Sequence, residues 1–412
     1  MNIRAITLGV DPVSDDMTSL LSGISEFFGS VDAAFVDTGL AVRTHRISLS
    51  PFGSNGARSH MRIVEIADQA SRLCEGSGVR WFCLPVFTAG AADYRALHDA
   101  LVETVVHNKN AFLNVIAVHN NEMDLRGIHM AGRLIKSVSR LSNNGHDNFR
   151  LGISCNCRPH TPFFPFTYHT GEIGFSLALE FARDFLDIIE SHGGDGLDAI
   201  HERLVEFLVE RLAGLESTAL EVERRTGMIY YGVDISLAPF PEDNHSVASI
   251  IERLGMESFG GNGTLFFTSY LTDILDEVLI KSGIRSTGFC GVMFSVLEDV
   301  GLGAHNNTKT FSMDSLLSYG SVCGCGLDMV PIPGDVFEEE ISSLILDVAA
   351  LSITANKPLG VRLLPIPHKH ANEFTCFEYD FMANTRIKDV KNRACKIEIF
   401  DNSAYRYATR GH

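Results

Sequence analysis

The strongest constraint on this chain is an alternation. Short β-rich runs and longer runs with helical spacing follow one another almost from end to end. About ten β-rich runs stand out by pattern, at 3–9, 42–49, 79–87, 111–118, 149–156, 228–237, 288–296, 326–334, 360–367 and 395–401. Several are apolar nearly throughout, as in Phe82–Cys83–Leu84–Pro85–Val86–Phe87, which suits strands covered on both faces. Between them, 15–28, 124–141, 172–225, 264–280 and 338–354 have apolar residues at helical spacing. Strands alternating with helices imply βαβ units and a largely parallel sheet. Ten such units predict an α/β fold, either a large barrel ringed by helices or one large doubly wound sheet.

No linker or low-complexity segment divides the 412 residues. The expected organisation is a single domain over 1–405, with a helical insertion at about 172–226 broken at Gly193–Gly194–Asp195–Gly196. Residues 406–412 read as a loose tail. A chain of this length buries a sizeable core without disulfides or metals. Lys and Arg number 34 against 51 Asp and Glu, a net charge of −17. That argues against nucleic acid and against an anionic membrane as partners, since both attract positive fields. No apolar run approaches the roughly 18 residues of a membrane span. The first residues read as a strand rather than a signal peptide. Nine scattered cysteines fit a reducing compartment, so a cytoplasmic location is expected.

In parallel α/β folds, ligands gather at the carboxyl ends of the strands. His119 and Asn156 follow the fourth and fifth runs, Asp234 lies in the sixth, Glu298 and Asp299 follow the seventh, and Arg362 lies in the ninth. A shared site at one end is one reading; polar strand ends meeting water is the other. The aromatic, proline-rich stretch Pro162–Phe163–Phe164–Pro165–Phe166 leads to His169 and Glu172, where a helix start is expected. His169 there is a candidate general base or metal ligand. A loop that merely seals a barrel mouth fits the same residues, with Glu172 favoured by the helix dipole. Gly260–Gly261–Asn262–Gly263–Thr264 opens a helix-period run, and Gly261, Gly263 and Thr264 would offer backbone N–H groups to an anion. A lone glycine loop is a weak signal, and simple helix entry is the plainer reading.

Two CxC pairs, Cys155/Cys157 and Cys323/Cys325, have the donor chemistry of a zinc site but not the usual spacing. Buried cysteines acting as small hydrophobes are the plainer reading. Cys323, beside glycines, is the candidate nucleophile. Glu172 and Asp299, with His169 and Glu298, are candidate ligands for a divalent metal ion.

These motifs resemble the domain-of-unknown-function family numbered 711, also labelled formate-lyase-like. The resemblance rests on Asn148–Phe149–Arg150 through Pro165, Tyr168–His169, Tyr231 through Ser236 with Ala238–Pro239, Gly263–Thr264–Leu265, Glu298–Asp299, Ser321 through Asp335, and Asn356 through Arg362. It implies a ten-stranded α/β barrel like that of pyruvate formate-lyase and anaerobic ribonucleotide reductase. It does not imply their radical chemistry. The C-terminal glycine loop that would hold a radical is absent from Lys396–Ile397–Glu398–Ile399–Phe400–Asp401, and so is an adjacent Cys–Cys pair. Cysteines at 155, 157 and 325, where small or polar residues are expected, suggest a specialised branch.

The residues favour an enzyme acting on a small anionic metabolite by a non-radical lyase or acyl/phosphoryl-transfer step. Arg362 would hold the anion, His169 or Glu298 would move a proton, and Cys323 would serve covalent catalysis. His119, Asn156 and Asp234 would line the same site. A metal-dependent hydrolase and a non-catalytic small-molecule sensor are the alternatives. Apolar residues Phe185, Leu186, Ile188 and Ile189 suggest a homodimer interface, and packing on the chain's own sheet explains them too.

Overall fold

The computed structural model describes residues 1–11, 17–53, 62–242, 244–402 and 404–407. These form one sheet whose strands are β1 (Asn2–Val10), β2 (His45–Leu49), β3 (Trp81–Phe87), β4 (Ala111–His119), β5 (Glu122–Met123), β6 (Leu151–Cys155), β7 (Gly174–Glu180), β8 (Ile229–Asp234), β9 (Gly326–Pro333), β10 (Leu359–Ile366) and β11 (Tyr405–Arg406). The order along the sheet is β8-β7-β1-β2-β3-β4-β6-β10-β9, with β5 and β11 as a small antiparallel edge on β4. The fold is therefore α/β with a mixed sheet, not a largely parallel one. β1, β2, β3, β4 and β6 run one way. β7–β8 and β9–β10 are parallel pairs that run the other way, joined to the first group by antiparallel seams at β7/β1 and β10/β6.

The strand ladders stop at β8 and β9, so the sheet of paired strands is open. Residues 288–296, expected as a strand, form no ladder. They and their neighbours make single parallel bridges to both free edges: Val233 with Ser286, Leu237 with Val292, and Ser295 with Asp328. Leu237 N–H donates to Gly291 O at 3.0 Å, and Val296 N–H donates to Asp328 O at 3.1 Å. Glycine and aromatic residues in Gly288–Phe289–Cys290–Gly291 break the regular pleat between these contacts.

Helices cover the outer face. They are α1 (Met17–Val36), α2 (Ile63–Ser77), α3 (Tyr94–His107), α4 (Leu125–Ser139), α5 (Ala182–Ser191), α6 (Leu197–Thr226), α7 (Val247–Arg253), α8 (Thr264–Ser282), α9 (Val300–Thr308), α10 (Met313–Tyr319) and α11 (Glu338–Thr354). α4 shows why they dock: Ile128, Ala131, Leu134, Ile135 and Val138 lie on one buried stripe, with Asp124 accepting the Gly127 N–H at its start. No helix among the described residues is long and apolar enough to cross a membrane.

Three expectations change at the element level. The run at 172–225 is not all helix: Gly174–Glu180 is β7, fully buried, and pairs with β1 from Asn2/Glu180 to Gly9/Gly174. Its Phe175, Leu177 and Leu179 alternate with Ser176 and Ala178, a period of two hidden inside an apolar stretch. The run at 395–401 holds only a 3-10 turn at Ile397–Ile399. Arg406, placed in the tail, belongs to β11, while residues 408–412 lie outside the described residues.

The inner face of the sheet is filled by the chain itself. Residues 161–169 cross it and bond strand after strand. Thr7 Oγ1 (β1) donates to Pro162 O at 3.0 Å, and Thr167 Oγ1 donates to Ser48 Oγ (β2) at 2.9 Å. Cys83 Sγ (β3) lies 3.3 Å from Pro165 O, and Asn114 Nδ2 (β4) donates to Thr167 O at 2.9 Å. Gly152 (β6) and Gly360 (β10) lack the side chain that would strike Phe166: a Cβ on either would fall within 2.8 Å of its ring. The Pro162–Phe166 stretch is thus an interior plug, not a surface loop.

Candidate functional site

Inner-face positions alternate along each strand, so those just before the plug contacts face the remaining space. On β2 this is Arg46, two residues before Ser48. On β3 it is Trp81 before Cys83, and on β4 Phe112 before Asn114. These side chains, with Arg4, Phe149, Phe163, Phe164, Phe166, Phe289, Met293, Glu298, Cys325, Asp328 and Arg362, enclose a cavity of about 70 Å³. It lies at the starting ends of β1–β4, where the oppositely running β9–β10 half contributes Asp328 and Arg362.

Among the lining residues three arginines face two carboxylates, and Arg4 also lies 3.9 Å from the buried Glu180 behind it. Arg362 is fully engaged. Its Nε and Nη2 donate to the two oxygens of Asp328 at 2.8 Å each, and Nη2 also reaches Glu298 Oε2 at 3.0 Å. Burial opposes its charge, but Asp328 and Glu298 outweigh burial and raise its pKa. Burial alone would raise Glu298; the charges of Arg362 and Arg4 and a 2.6 Å bond from Ser295 Oγ hold its carboxyl below the usual range. Arg4 donates to Pro239 O at 2.6 Å and lies 3.8 Å from Glu298.

Arg46 is different. It donates from Nε to Thr44 Oγ1 at 3.2 Å and lies 5.1 Å from the Phe164 ring centre, but it makes no ion pair with any described residue. Burial lowers its pKa to about 9, and repulsion by Arg4 and Arg362 adds to that, against a partial opposing pull from Glu298. Its planar fork is the unmatched charge of the cavity.

Residues 1–380 match the family described as Uncharacterised ACR (DUF711). The chain belongs to this family. Its relatives include a UPF0210 protein of Pyrobaculum arsenaticum, 27% identical over 400 residues (91% of this chain, 87% of the relative). A UPF0210 protein of Acetivibrio thermocellus is 25% identical over 403 residues, covering 92% of this chain and 88% of the relative. A third, from Limosilactobacillus fermentum, is 25% identical over 397 residues, with 90% and 87% covered. The match to the family reaches past every residue of the cavity.

The expected site residues of this family member do not gather at one end, because the strand-end rule presumes strands running one way. Only Glu298 and Arg362 line the cavity. His169 sits on the plug, five residues farther along β1, where a Cβ on Gly9 would strike its ring. Its Nδ1 lies 3.3 Å from His160 Nδ1, and His160 stacks on Tyr231 at 3.5 Å. Burial pushes both imidazoles down to about 4, so both are neutral near pH 7. His119 packs edge-on against Phe87 and is likewise lowered by burial. Asn156 bonds Asn121 and Ser352.

Asp234 is fully buried. It accepts N–H groups from Ser236, Phe289 and Cys290 and the Ser236 hydroxyl, which ties residues 288–290 to β8. Burial raises its pKa. Gly261, Gly263 and Thr264 form a self-satisfied turn: Thr264 Oγ1 accepts from Gly260 N–H and donates to Gly261 O, and none of the three lines the cavity.

The expected metal set is not assembled. Glu172 is exposed, and its carbonyl accepts the Tyr231 hydroxyl at 2.7 Å. There is no helix start beside it. Asp299 is spent on helix ends: Oδ1 accepts Gly301 and Leu302 N–H of α9, and Oδ2 accepts Val247 and Ala248 N–H of α7. Cys155, Cys157, Cys323 and Cys325 do not converge as ligands either. Among the described residues, one group of metal-ligating side chains converges, His129 with Glu338 and Glu339. Burial pushes Cys155 up to about 12. Cys323 is buried and does not line the cavity, whereas Cys325 borders it.

Sequence reasoning missed Arg4, Arg46 and Asp328. A signal was present: a large residue followed two positions later by a small or polar one opens three successive strands, at Arg46/Ser48, Trp81/Cys83 and Phe112/Asn114.

Proposed function

We propose that this protein is an enzyme that binds a small carboxylate or phosphate between Arg46, Arg4 and the aromatic walls of the cavity. The proposed chemistry is a non-radical lyase or acyl/phosphoryl-transfer step. The observation that carries the reading is the unpaired Arg46 guanidinium in an enclosed space of about 70 Å³. One water needs roughly 10–15 Å³ of such space, so a ligand of about five heavy atoms fits. Aromatic walls exclude water and strengthen the pairing of a guanidinium with an anion. Arg362 acts in this reading by fixing Glu298 and Asp328, not by taking the ligand itself.

The proposal extends to the architecture. The single bridges from residues 286–295 to both free edges support a barrel of about ten staves around the plug, as the formate-lyase-like resemblance implies.

A second reading, a non-catalytic binding protein or sensor, has one specific observation behind it. Both cavity carboxylates are held in ion pairs, which leaves no free general base among the lining residues. Thermal melting with two- and three-carbon carboxylates and with inorganic phosphate tests the binding claim. Stabilisation of the wild type that Arg46→Met removes is the expected result. No stabilisation by any of these anions would overturn it. Recovery of a stabilising anion unchanged after prolonged incubation would favour the sensor.

A further inference from the structure

One set of side chains outside the cavity has the chemistry of a metal site. His129 of α4 and Glu338 and Glu339 of α11 each bring a ligand atom within 4.8 Å of the other two. None of the three lines the anion cavity.

Two helices at close range build the set. α4 and α11 meet at Gly132, where a Cβ would lie 2.2 Å from Ser342 Oγ and 2.8 Å from the Glu338 carbonyl oxygen. That approach fixes the first turn of α11 against α4. His129 precedes Gly132 by three residues and so shares its side of the helix. Phe400 stacks on the imidazole, with ring centres 5.1 Å apart and planes 18° apart. Phe400 is itself buried, and Arg126 holds the turn behind it by donating to Asp401 O at 3.1 and 2.9 Å. The ring is therefore oriented before any ion arrives.

The same three side chains are short of partners. His129 Nε2 is buried and has no hydrogen-bond partner, which costs stability unless a ligand meets it. The Glu339 carboxylate makes no hydrogen bond or ion pair with any described residue; only its backbone carbonyl is used, by Ser343 Oγ. Glu338 meets Arg133 alone, at 3.5 Å, and both are well exposed. Glu340, the third carboxylate of the turn, is spent on the Phe337 N–H, and Lys136 is spent on the Gly334 and Val336 carbonyls. The dipole of α11 favours carboxylates in its first turn. It gives no reason for a histidine with a bare, buried nitrogen on the facing helix.

We propose that His129, Glu338 and Glu339 bind one divalent transition-metal ion of the zinc type, which clamps α4 to the start of α11. An imidazole with two carboxylates suits zinc and cobalt, whereas magnesium and calcium take oxygen ligands. Zinc bonds of about 2.0–2.2 Å place two ligands of one ion at most about 4.4 Å apart, so small rotations of the glutamates close the set. Water fills the remaining positions. Arg133 is the competitor: it holds Glu338 while the ion is absent and must release it when the ion binds.

The test is titration of the chelator-stripped, reduced full chain with cobalt(II), followed by visible absorption, then displacement by zinc. Exposed Cys376 and part-exposed Cys395 are first replaced by serine to remove competing thiols. The expected result is one equivalent of cobalt bound with the weak visible bands of nitrogen and oxygen ligands, no thiolate charge-transfer band, and release by one equivalent of zinc. Loss of even an outer partner of a metal ligand typically costs about 10–100-fold, so His129→Ala and Glu339→Gln should each weaken binding at least about 10-fold. Arg133→Met should tighten it about two- to fivefold by freeing Glu338 from an exposed ion pair. Glu339→Gln and Arg133→Met change side chains at the helix surface, so the test does not depend on whether His129→Ala folds. No one-to-one binding, a thiolate band, unchanged affinity in Glu339→Gln, or binding no tighter in Arg133→Met would each overturn the proposal. The readout uses no anion and no cavity residue, so it stands or falls independently of the proposed function.

Discussion

At the scale of single residues, glycines and charges do opposite things on the inner face. Gly152 makes room: a Cβ there would lie 2.4 Å from Pro165 Cγ and 2.8 Å from the Phe166 ring. Proline and a packed aromatic ring yield little. Gly152→Ala should therefore cost about 1–3 kcal/mol, read as a lower urea midpoint with unchanged m. Arg46 instead holds an unmatched charge among aromatic rings. Arg46→Met should raise the thermal midpoint in anion-free buffer while removing anion-induced stabilisation, since an uncompensated charge costs more than an apolar side chain of like size. A lower midpoint for Arg46→Met would mean that the guanidinium is already matched. Glu298 and Arg362, which line the cavity, were legible as polar groups in or just after β-rich runs. Arg46 was not, because the strand-end rule looks to the carboxyl ends and Arg46 lies at the start of β2.

At the scale of elements, one carboxylate joins two helices. Asp299 caps α9 with one oxygen and receives the first N–H groups of α7 with the other. Asp299→Ala should leave four buried donors unsatisfied and lower stability by about 2–4 kcal/mol, measured by denaturant titration. The plug makes a second, pH-dependent prediction. His169 is held near 4 by burial, below the value of about 6.5 for a free imidazole. The unfolded chain then binds more protons than the folded one between these values. Stability should be flat above pH 6.5 and fall as pH drops below it, by on the order of 1–2 kcal/mol at pH 5 from His169 alone. Urea midpoints across this range check it, and His169→Gln should flatten the slope. Helices and most strands were readable because their periods are long or their flanks carry turn residues. β7 was not, since its apolar alternation continues directly into the helical spacing of α5. The segment at 288–296 was read as a strand and has a strand's place, but its glycines leave it with bridges instead of a ladder.

At the scale of the whole molecule, a cationic cavity is set in a chain of net charge −17. The outer field repels the ligand that the inner one would hold. Added salt screens the long-range repulsion more than the enclosed contact. The association rate of a small anion should therefore rise with ionic strength, the reverse of ordinary steering, and stopped-flow binding at increasing salt measures it. The class of fold was legible from alternation alone. The two antiparallel seams were not, because strand direction leaves no mark on composition, and β7 and β10 are buried on both faces like the parallel strands beside them. That omission moved the expected site: it placed His119 and Asn156, at the ends of β4 and β6, with Arg362 of β10, which runs in the opposite sense.

The plug also governs how such a chain can be made. A ribosome releases Pro162–Phe166 while β1–β4 already exist but β7–β10 do not. The aromatic segment then has half its wall and must wait, exposed, for Gly360 and Arg362 to be translated. Nascent chains stalled in that interval carry a bare aromatic ridge beside unpaired strand edges, which is the surface that chaperones capture and that aggregates grow from.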